Sequence, residues 1–414
     1  MSDATTMTRE TRASAPLLSA AAVRERCELI ERWVAEGKSK HFTLDEGRMP
    51  AVADAVAKIT RETYPDLKVP PHSRWRHFTV GDVDRWALLS LMTTDETDAE
   101  RARAAVDLAF VSVLLDAGAG DTWRYREAAT GKTFARSEGL AVASIDMFRA
   151  GAFSSNPAKP RQVDAQRLEG IDAGALAHHF QVSADNPLTG LEGRAGLLRR
   201  LGRALAKNPN LFGTKVARPG HLMDWLLTRP SARIEAGELL ATLLGSLAPI
   251  WPSGLVHDGT PLGDAARHPA VRREHTDGIV PFHKLSQWLT YSLIEPLEWS
   301  GIAVERLDGL TALAEYRNGG LLVDLGVIQP RQPLDLREKH AVTSELIVEW
   351  RALTVVLMDR LLSPVRQRLA LDASFSLPHM LQGGTWAAGR KVAMEKRPPN
   401  GPPPLVIAAD GTVF

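Results

Sequence analysis

The chain holds a single cysteine, Cys27, among 414 residues. No disulfide can close within it, no cysteine-based zinc site can form, and a reducing compartment is the simplest reading. It also lacks an excess of charge. Fifty Lys and Arg face 49 Asp and Glu, for a formal net charge of +1. A chain that wraps nucleic acid usually carries a basic surplus, so nucleic acid is not an expected partner. A local basic pocket for one small anion stays compatible with this balance. Long hydrophobic runs are missing too. The longest, residues 239–251, is broken by Gly245 and Pro249 and falls short of the roughly 20 apolar residues that span a bilayer. Asp3 and Glu10 precede Pro16 without a continuous apolar stretch, so neither a signal nor a transit peptide is expected. A cytoplasmic protein with no membrane partner follows as the expectation. Several catalytic signatures are absent as well: no Walker loop, no His-Glu-x-x-His, no Rossmann glycine fingerprint and no Gly-x-Ser-x-Gly elbow.

What the chain has is helical periodicity. Hydrophobic residues make up 44% and charged residues 24%, the mix of a globular protein with ample side chain to bury. Apolar residues recur at three-four spacing from Ser19 to Gly37, from Met49 to Thr63, from Asp98 to Leu115 and from Leu191 to Leu205. Similar patterns open at Asp82 and cover 137–150, 173–180, 221–227, 236–247, 282–299, 343–371 and 377–393. A short helix is expected over Leu307 to Tyr316, with Gly319-Gly320 and Gly383-Gly384 read as helix-end punctuation. Trp123 to Phe134 alternates about Thr130-Gly131 and predicts a hairpin. About a dozen helices with one or two small β-hairpins make a mainly α fold. The expected organisation is a disordered N-terminus (1–15), a single helical catalytic domain (16–395), and a Pro-rich linker with a terminal hairpin around Asp410-Gly411 (396–414).

Residues 275–324 are the densest polar region. Lys284 and Gln287 share a helix face beside Phe282, Leu285 and Trp288, and buried polar groups there need partners. Glu315 sits in a run of Leu313, Ala314 and Tyr316 with Arg317 nearby. Burial raises a carboxyl pKa and an adjacent cation lowers it, so its protonation is open from sequence. His275, Asp277 and His283 could form a metal cluster, although their spacing matches no standard helical pair. His178-His179 reads as a helix C-terminal cap.

These residues carry a resemblance. The chain resembles the uracil catabolism protein 4 family of fungi and bacteria through HTDGIVPFHKLSQWLTYSLIEPLEWSG, LTALAEYRNGGLLVDLGVI and the loop from Gly151 to Asn156. That family is tied to pyrimidine degradation and implicated at the ribosylurea step. A more distant resemblance is to the queuosine-salvage nucleotide N-glycosidases. Their F-x-K-x-x-Q-x-L helix is matched by Phe282, Lys284, Gln287 and Leu289. Their T-M-F-A-D-Y-R segment is matched by Thr311 to Arg317, and their L-G-x-L by Leu325-Gly326-Val327. Further segments are similar and fall in the family's order: Pro187 to Arg194 upstream, and Glu349-Trp350-Arg351 and Trp386 downstream. Glu315 stands where that family has aspartate, and Asn318-Gly319-Gly320 replaces its continuation.

The resemblance implies a fold similar to the helix-hairpin-helix DNA glycosylases and hydrolysis of an N-glycosidic bond. The expected substrate is a phosphorylated sugar ureide, 5-phosphoribosylurea, cleaved to urea and ribose 5-phosphate through an oxocarbenium-like state. Glu315 is the expected catalytic carboxylate, with Asp308 and Asp324 as lesser candidates. Gln287 and His283 are candidate donors to the ureido group. Lys284, Arg317, Arg194 and Arg351 are candidate phosphate ligands, and Trp288 and Trp386 candidate pocket walls. This chemistry needs no metal or other cofactor. Two alternatives stand beside it: a metal-dependent ureido-amide hydrolase built on His275, Asp277 and His283, and a non-catalytic metabolite-binding scaffold.

Overall fold

The computed structural model describes residues 15–91, 97–251, 255–408 and 411–412. The chain is 54% helical, with strands only in short two-stranded pairs, the mainly α architecture expected. The expected disordered segment 1–15 lies outside the described residues except for its last position. The chain segregates into two compact units, each assembled from three separated stretches. The first comprises Met1–His72, Ser253–Gln287 and Leu307–Ala408; the second comprises Ser73–Pro252, Trp288–Arg306 and Ala409–Phe414. The stretches interleave, so no linker marks a boundary in the sequence.

The first unit is built around the helix Glu345–Leu369. Its buried positions run through Ile347, Val348, Trp350, Leu353, Val356 and Leu357, so it is apolar on nearly every side and is covered by neighbours. The helices Ala20–Ala35, Met49–Thr63 and Tyr316–Asp324 pack against it. Ser19 starts the first of these by accepting the Ala22 N–H at 3.2 Å. Val23, Cys27, Ile30, Val280, Phe282, Ala314, Val348 and Ala352 form one apolar cluster. Strand Phe42–Leu44 pairs antiparallel with Ile328–Pro330, and Ala265–Arg267 with Ile279–Pro281.

Three local expectations change. The run 307–316 is not a helix. A 3-10 turn at Leu307–Gly309 gives way to irregular backbone, and the helix occupies Tyr316–Asp324. The glycine pairs do not punctuate helix ends. Gly319 and Gly320 lie inside that helix because a Cβ on Gly319 would sit 2.5 Å from Thr354 Oγ1 and 2.7 Å from Trp350 Nε1. Gly383 and Gly384 lie in a π-helical turn, Leu381–Thr385, pressed on the helix Met49–Thr63. Finally, the tail does not fold back on itself where it is described. Val406–Ile407 pairs in parallel with Lys339–His340; Asp410, the first half of the expected turn, lies outside the described residues.

The second unit centres on the helix Asp98–Leu114, capped by Thr97 and buried from Ala104 to Leu114. The predicted hairpin is present as Arg124–Arg126 against Thr133–Ala135 and leads into the helix Arg136–Arg149. Helix Leu191–Lys207 packs closely on Ala165–Glu169. Arg194, expected to bind phosphate, is fully buried here. It donates from Nε to Thr189 O (2.9 Å), from Nη1 to Leu115 O (2.6 Å), and from Nη2 to Ala117 O (3.1 Å) and Gly118 O (2.7 Å). Its role is to close this loop junction, since buried carbonyls require donors. Trp288 is also buried in this unit and donates from Nε1 to Asp116 at 3.2 Å.

A Cβ at Gly384 would approach Val56 O at 2.5 Å, while one at Gly245 meets nothing within 4 Å. Gly384→Ala is therefore expected to destabilise the fold by about 1–3 kcal/mol. Gly245→Ala, in the last turn of the helix Ala236–Leu247, should stabilise it by up to about 1 kcal/mol. Denaturant midpoints of the two variants check the opposite signs.

Candidate active site

The site is organised by six residues of irregular backbone, 310–315. All but the last are buried, so their peptide groups need partners other than water. Side chains supply them. Gln287 accepts the Thr311 N–H on Oε1 at 2.9 Å and donates from Nε2 to Thr311 Oγ1 at 2.7 Å. Asp359 accepts the Ala312 N–H at 3.0 Å and pairs with Arg24 at 2.8 Å. The Arg24 guanidinium also donates to Leu310 O. Burial pushes the Asp359 carboxyl up, against the opposing charge and hydrogen bond of Arg24.

This strap delivers Glu315 to the N-cap of Tyr316–Asp324. Its φ of −117° and ψ of 157° are extended. Its two carboxylate oxygens accept the N–H groups of Arg317 at 2.7 Å and Asn318 at 2.5 Å, the standard way to satisfy the first turn of a helix. Glu315 itself remains partly exposed. Burial raises its carboxyl above the usual 4.5. The Arg317 and Asn318 N–H groups oppose that rise, as do the charges of Lys284 and Arg317. Arg317 is buried and donates from Nη1 to Gly401 O at 2.7 Å. Its Nε, together with Asn318 Oδ1, is buried without a hydrogen bond among the described residues.

Lys284 is the first residue of its helix, and its position is set by a buried acid that the sequence reading missed. Asp264 Oδ2 accepts the Lys284 N–H at 3.0 Å, and its backbone oxygen accepts those of Phe282 and His283. Arg351 grips the same carboxylate at 2.8 and 2.6 Å while its guanidinium lies 4.0 Å from the Phe282 ring. Burial alone would raise the Asp264 carboxyl; Arg351, the Lys284 N–H and His283 hold it below its ordinary value. No periodic signal points to Asp264, which lies in a loop after Gly263. Asp359 did leave one: a carboxylate inside an apolar helical run.

The expected site residues thus divide. Glu315, Lys284 and Arg317 come together. Gln287, His283 and Arg351 lie in the same unit, but with their polar atoms engaged. Gln287 holds the strap. His283 is buried with Nε2 2.9 Å from Leu17 O, so that nitrogen is the donor, and burial lowers the ring pKa toward the neutral form. Arg351 is clamped on Asp264. Asp324 is paired with Arg397 at 2.7 and 2.6 Å, which fixes the far end of the Glu315 helix. Asp308 stands on the exposed 3-10 turn.

The proposed metal set His275, Asp277 and His283 does not converge. His275 is 79% exposed, Asp277 takes the Arg273 N–H and the Arg272 side chain, and His283 is buried against Leu17. A different trio, His268, Glu345 and Glu349, brings its ligand atoms within 4.8 Å of one another. Its chemistry does not fit a cation. His268 Nδ1 accepts the Ala270 N–H at 3.1 Å. The ring proton of the neutral imidazole therefore sits on Nε2, which faces Glu349 at 3.2 Å as a donor.

A family model described as a protein of unknown function, DUF1688, matches residues 16–414. The chain belongs to this family. It is similar to Protein urg3 of Schizosaccharomyces pombe (strain 972 / ATCC 24843), with 40% identity over 408 residues, covering 97% of this chain and 98% of that protein. It is also similar to Uracil catabolism protein 4 of Lachancea kluyveri, with 37% identity over 436 aligned residues, 96% of this chain and 98% of that protein. Among the described residues, no helix is long and apolar enough to cross a membrane.

A carboxyl with a raised folded pKa takes up its proton at higher pH than a solvated one. Ionising Glu315 as the pH rises through that value costs folding stability, and acidification restores it. A 13C NMR titration is expected to place the Glu315 midpoint above 4.5. Lys284→Met, which removes a charge that lowers it, should move the midpoint higher still. A wild-type midpoint at or below the ordinary value contradicts the burial.

Proposed function

We propose that this protein acts in uracil degradation as a cytoplasmic N-glycosidase, hydrolysing 5-phosphoribosylurea to urea and ribose 5-phosphate. The pathway is suggested by the relative named for uracil catabolism. The reaction is suggested by the observation on which the reading turns: the carboxylate of Glu315, a residue of intermediate burial, held rigidly by two backbone N–H groups, with Lys284 and Arg317 acting on it electrostatically.

In this reading the C1–N bond of the ribosyl ureide breaks with its electron pair moving to nitrogen. Positive charge develops on C1 and the ring oxygen. The ionised Glu315 stabilises that charge and accepts a proton from the attacking water, whose oxygen bonds to C1. The departing urea nitrogen takes up a proton that balances the one Glu315 removes from the water and afterwards gives up, so the cycle consumes one water and leaves no net charge behind. A preorganised carboxylate suits this task because its hydrogen bonds to Arg317 and Asn318 are already made. Lys284 and Arg317, whose charges act on this carboxyl, are the phosphate ligands in this reading.

Glu315→Gln separates capping from catalysis. Its amide oxygen still accepts one N–H, so the helix should lose only about 1 kcal/mol. Turnover of phosphoribosylurea, followed by NMR detection of urea and ribose 5-phosphate, should fall by about 10²-fold or more. A folded variant with wild-type turnover removes Glu315 from the chemistry. Ammonia and carbon dioxide in place of urea would replace glycosidic cleavage by attack on the ureido carbonyl.

A further inference from the structure

The second unit contains a cavity of about 920 Å³ whose lining residues all belong to that unit. Four pieces of chain form it: the start of helix Asp98–Leu114, the loop from Ser155 to Gln162, residues 209–218, and helix His221–Leu227. The loop includes Ser155 and Asn156 from the segment that carried the family resemblance, a segment with no part in the chemistry above. Asp107, fully buried, ties the pieces together. Its Oδ2 accepts the Val163 N–H at 3.0 Å and Arg218 Nε at 2.9 Å, and its Oδ1 accepts the Gly220 N–H at 2.6 Å. Arg218 continues to Glu100 at 2.5 Å. Arg103 bridges Glu100 at 3.0 Å and Asp224 at 2.7 and 2.8 Å. These arginines and acids satisfy one another and make a rigid floor. Gly213, at φ +94°, lets the 209–218 loop lie against His221, whose ring a Cβ there would strike.

Other lining groups are not used by this network. Lys159 and Lys215 make no ion pair among the described residues. Gln162 is only 5% exposed and gives its Nε2–H to Asp164 at 3.1 Å, which leaves the amide oxygen as an acceptor. His221 Nδ1 lies 2.9 Å from Phe212 O. A carbonyl only accepts, so Nδ1 carries a proton, and in the neutral ring Nε2 is then an acceptor. Trp225 adds a partly exposed indole, with Arg229 5.4 Å from its ring. Two cations, two hydrogen-bond acceptors and an aromatic plane in a space of this size match a small metabolite with an anionic end and donor groups.

We infer that this cavity binds a nucleoside monophosphate, with the phosphate on Lys159 and Lys215, ribose hydroxyls donating to Gln162 and His221, and the base against Trp225. The inference does not rest on the glycosidase reading, because no residue of the Glu315 cluster lines the cavity.

Isothermal titration of the full chain with uridine 5′-monophosphate, ribose 5-phosphate and inorganic phosphate tests it. Uridine 5′-monophosphate should bind, and more tightly than the other two. The Lys159→Ala/Lys215→Ala variant, altered only at exposed positions, should bind it about a hundredfold more weakly, at about tenfold per lost charge-assisted bond. Trp225→Ala should weaken the nucleotide more than ribose 5-phosphate. Lys284→Ala should leave nucleotide binding intact. The inference is overturned by any of four results: no nucleotide binding at millimolar concentration, unchanged affinity in the double variant, equal affinity for nucleotide and ribose 5-phosphate, or loss of binding in Lys284→Ala.

Discussion

Buried backbone that belongs to neither helix nor sheet must find its hydrogen bonds in side chains, and the first unit is arranged around that requirement. The strap at 310–315 is held at Leu310 by Arg24, at Thr311 by Gln287 and at Ala312 by Asp359. An unpaired buried peptide group costs about 1–3 kcal/mol, so these side chains are not interchangeable with apolar ones. The strap ends on Glu315, whose carboxylate starts the next helix. The same group is thus both an element of folding and the carboxylate on which the proposed reaction turns. Asp264 repeats the pattern on the neighbouring helix, capping Lys284 while clamped by Arg351.

Much of the helical skeleton was legible. The stretches 20–35, 49–63, 98–114 and 191–207 carry apolar residues at three-four spacing over four or more turns, and the first and third open on side-chain caps. The hairpin at 124–135 announced itself by alternation about a turn. Signals that depend on a partner elsewhere in the chain were not legible. Gly319-Gly320 looks like a stop, and only the faces of Trp350, Thr354 and Pro404 explain why small residues continue a helix there. The pairing of Val406–Ile407 with Lys339–His340 joins segments more than 60 residues apart.

The site shows the same division. Residue type and order singled out Glu315, Lys284 and Arg317, and the charges of the last two act on the Glu315 carboxyl. Type alone could not say which way a polar group is already engaged. Gln287, His283 and Arg351 look like ligands in a sequence and are braces in the fold. Arg194 is the sharpest case, a guanidinium with four carbonyl partners. Asp264, equally important to the placement of Lys284, had no pattern to reveal it.

The threefold assembly of each unit bears on how the protein is made. The first unit includes residues from the beginning of the chain and as far as Ala408, and the second extends across residue 300. The first cannot finish folding until its third stretch, Leu307–Ala408, has left the ribosome, whereas the two long stretches of the second, Ser73–Pro252 and Trp288–Arg306, precede it. The helices 20–35 and 49–63 must wait for the helix 345–369 that covers them. Over that interval of synthesis their apolar faces are open to solvent, a period in which chaperone binding has a physical cause.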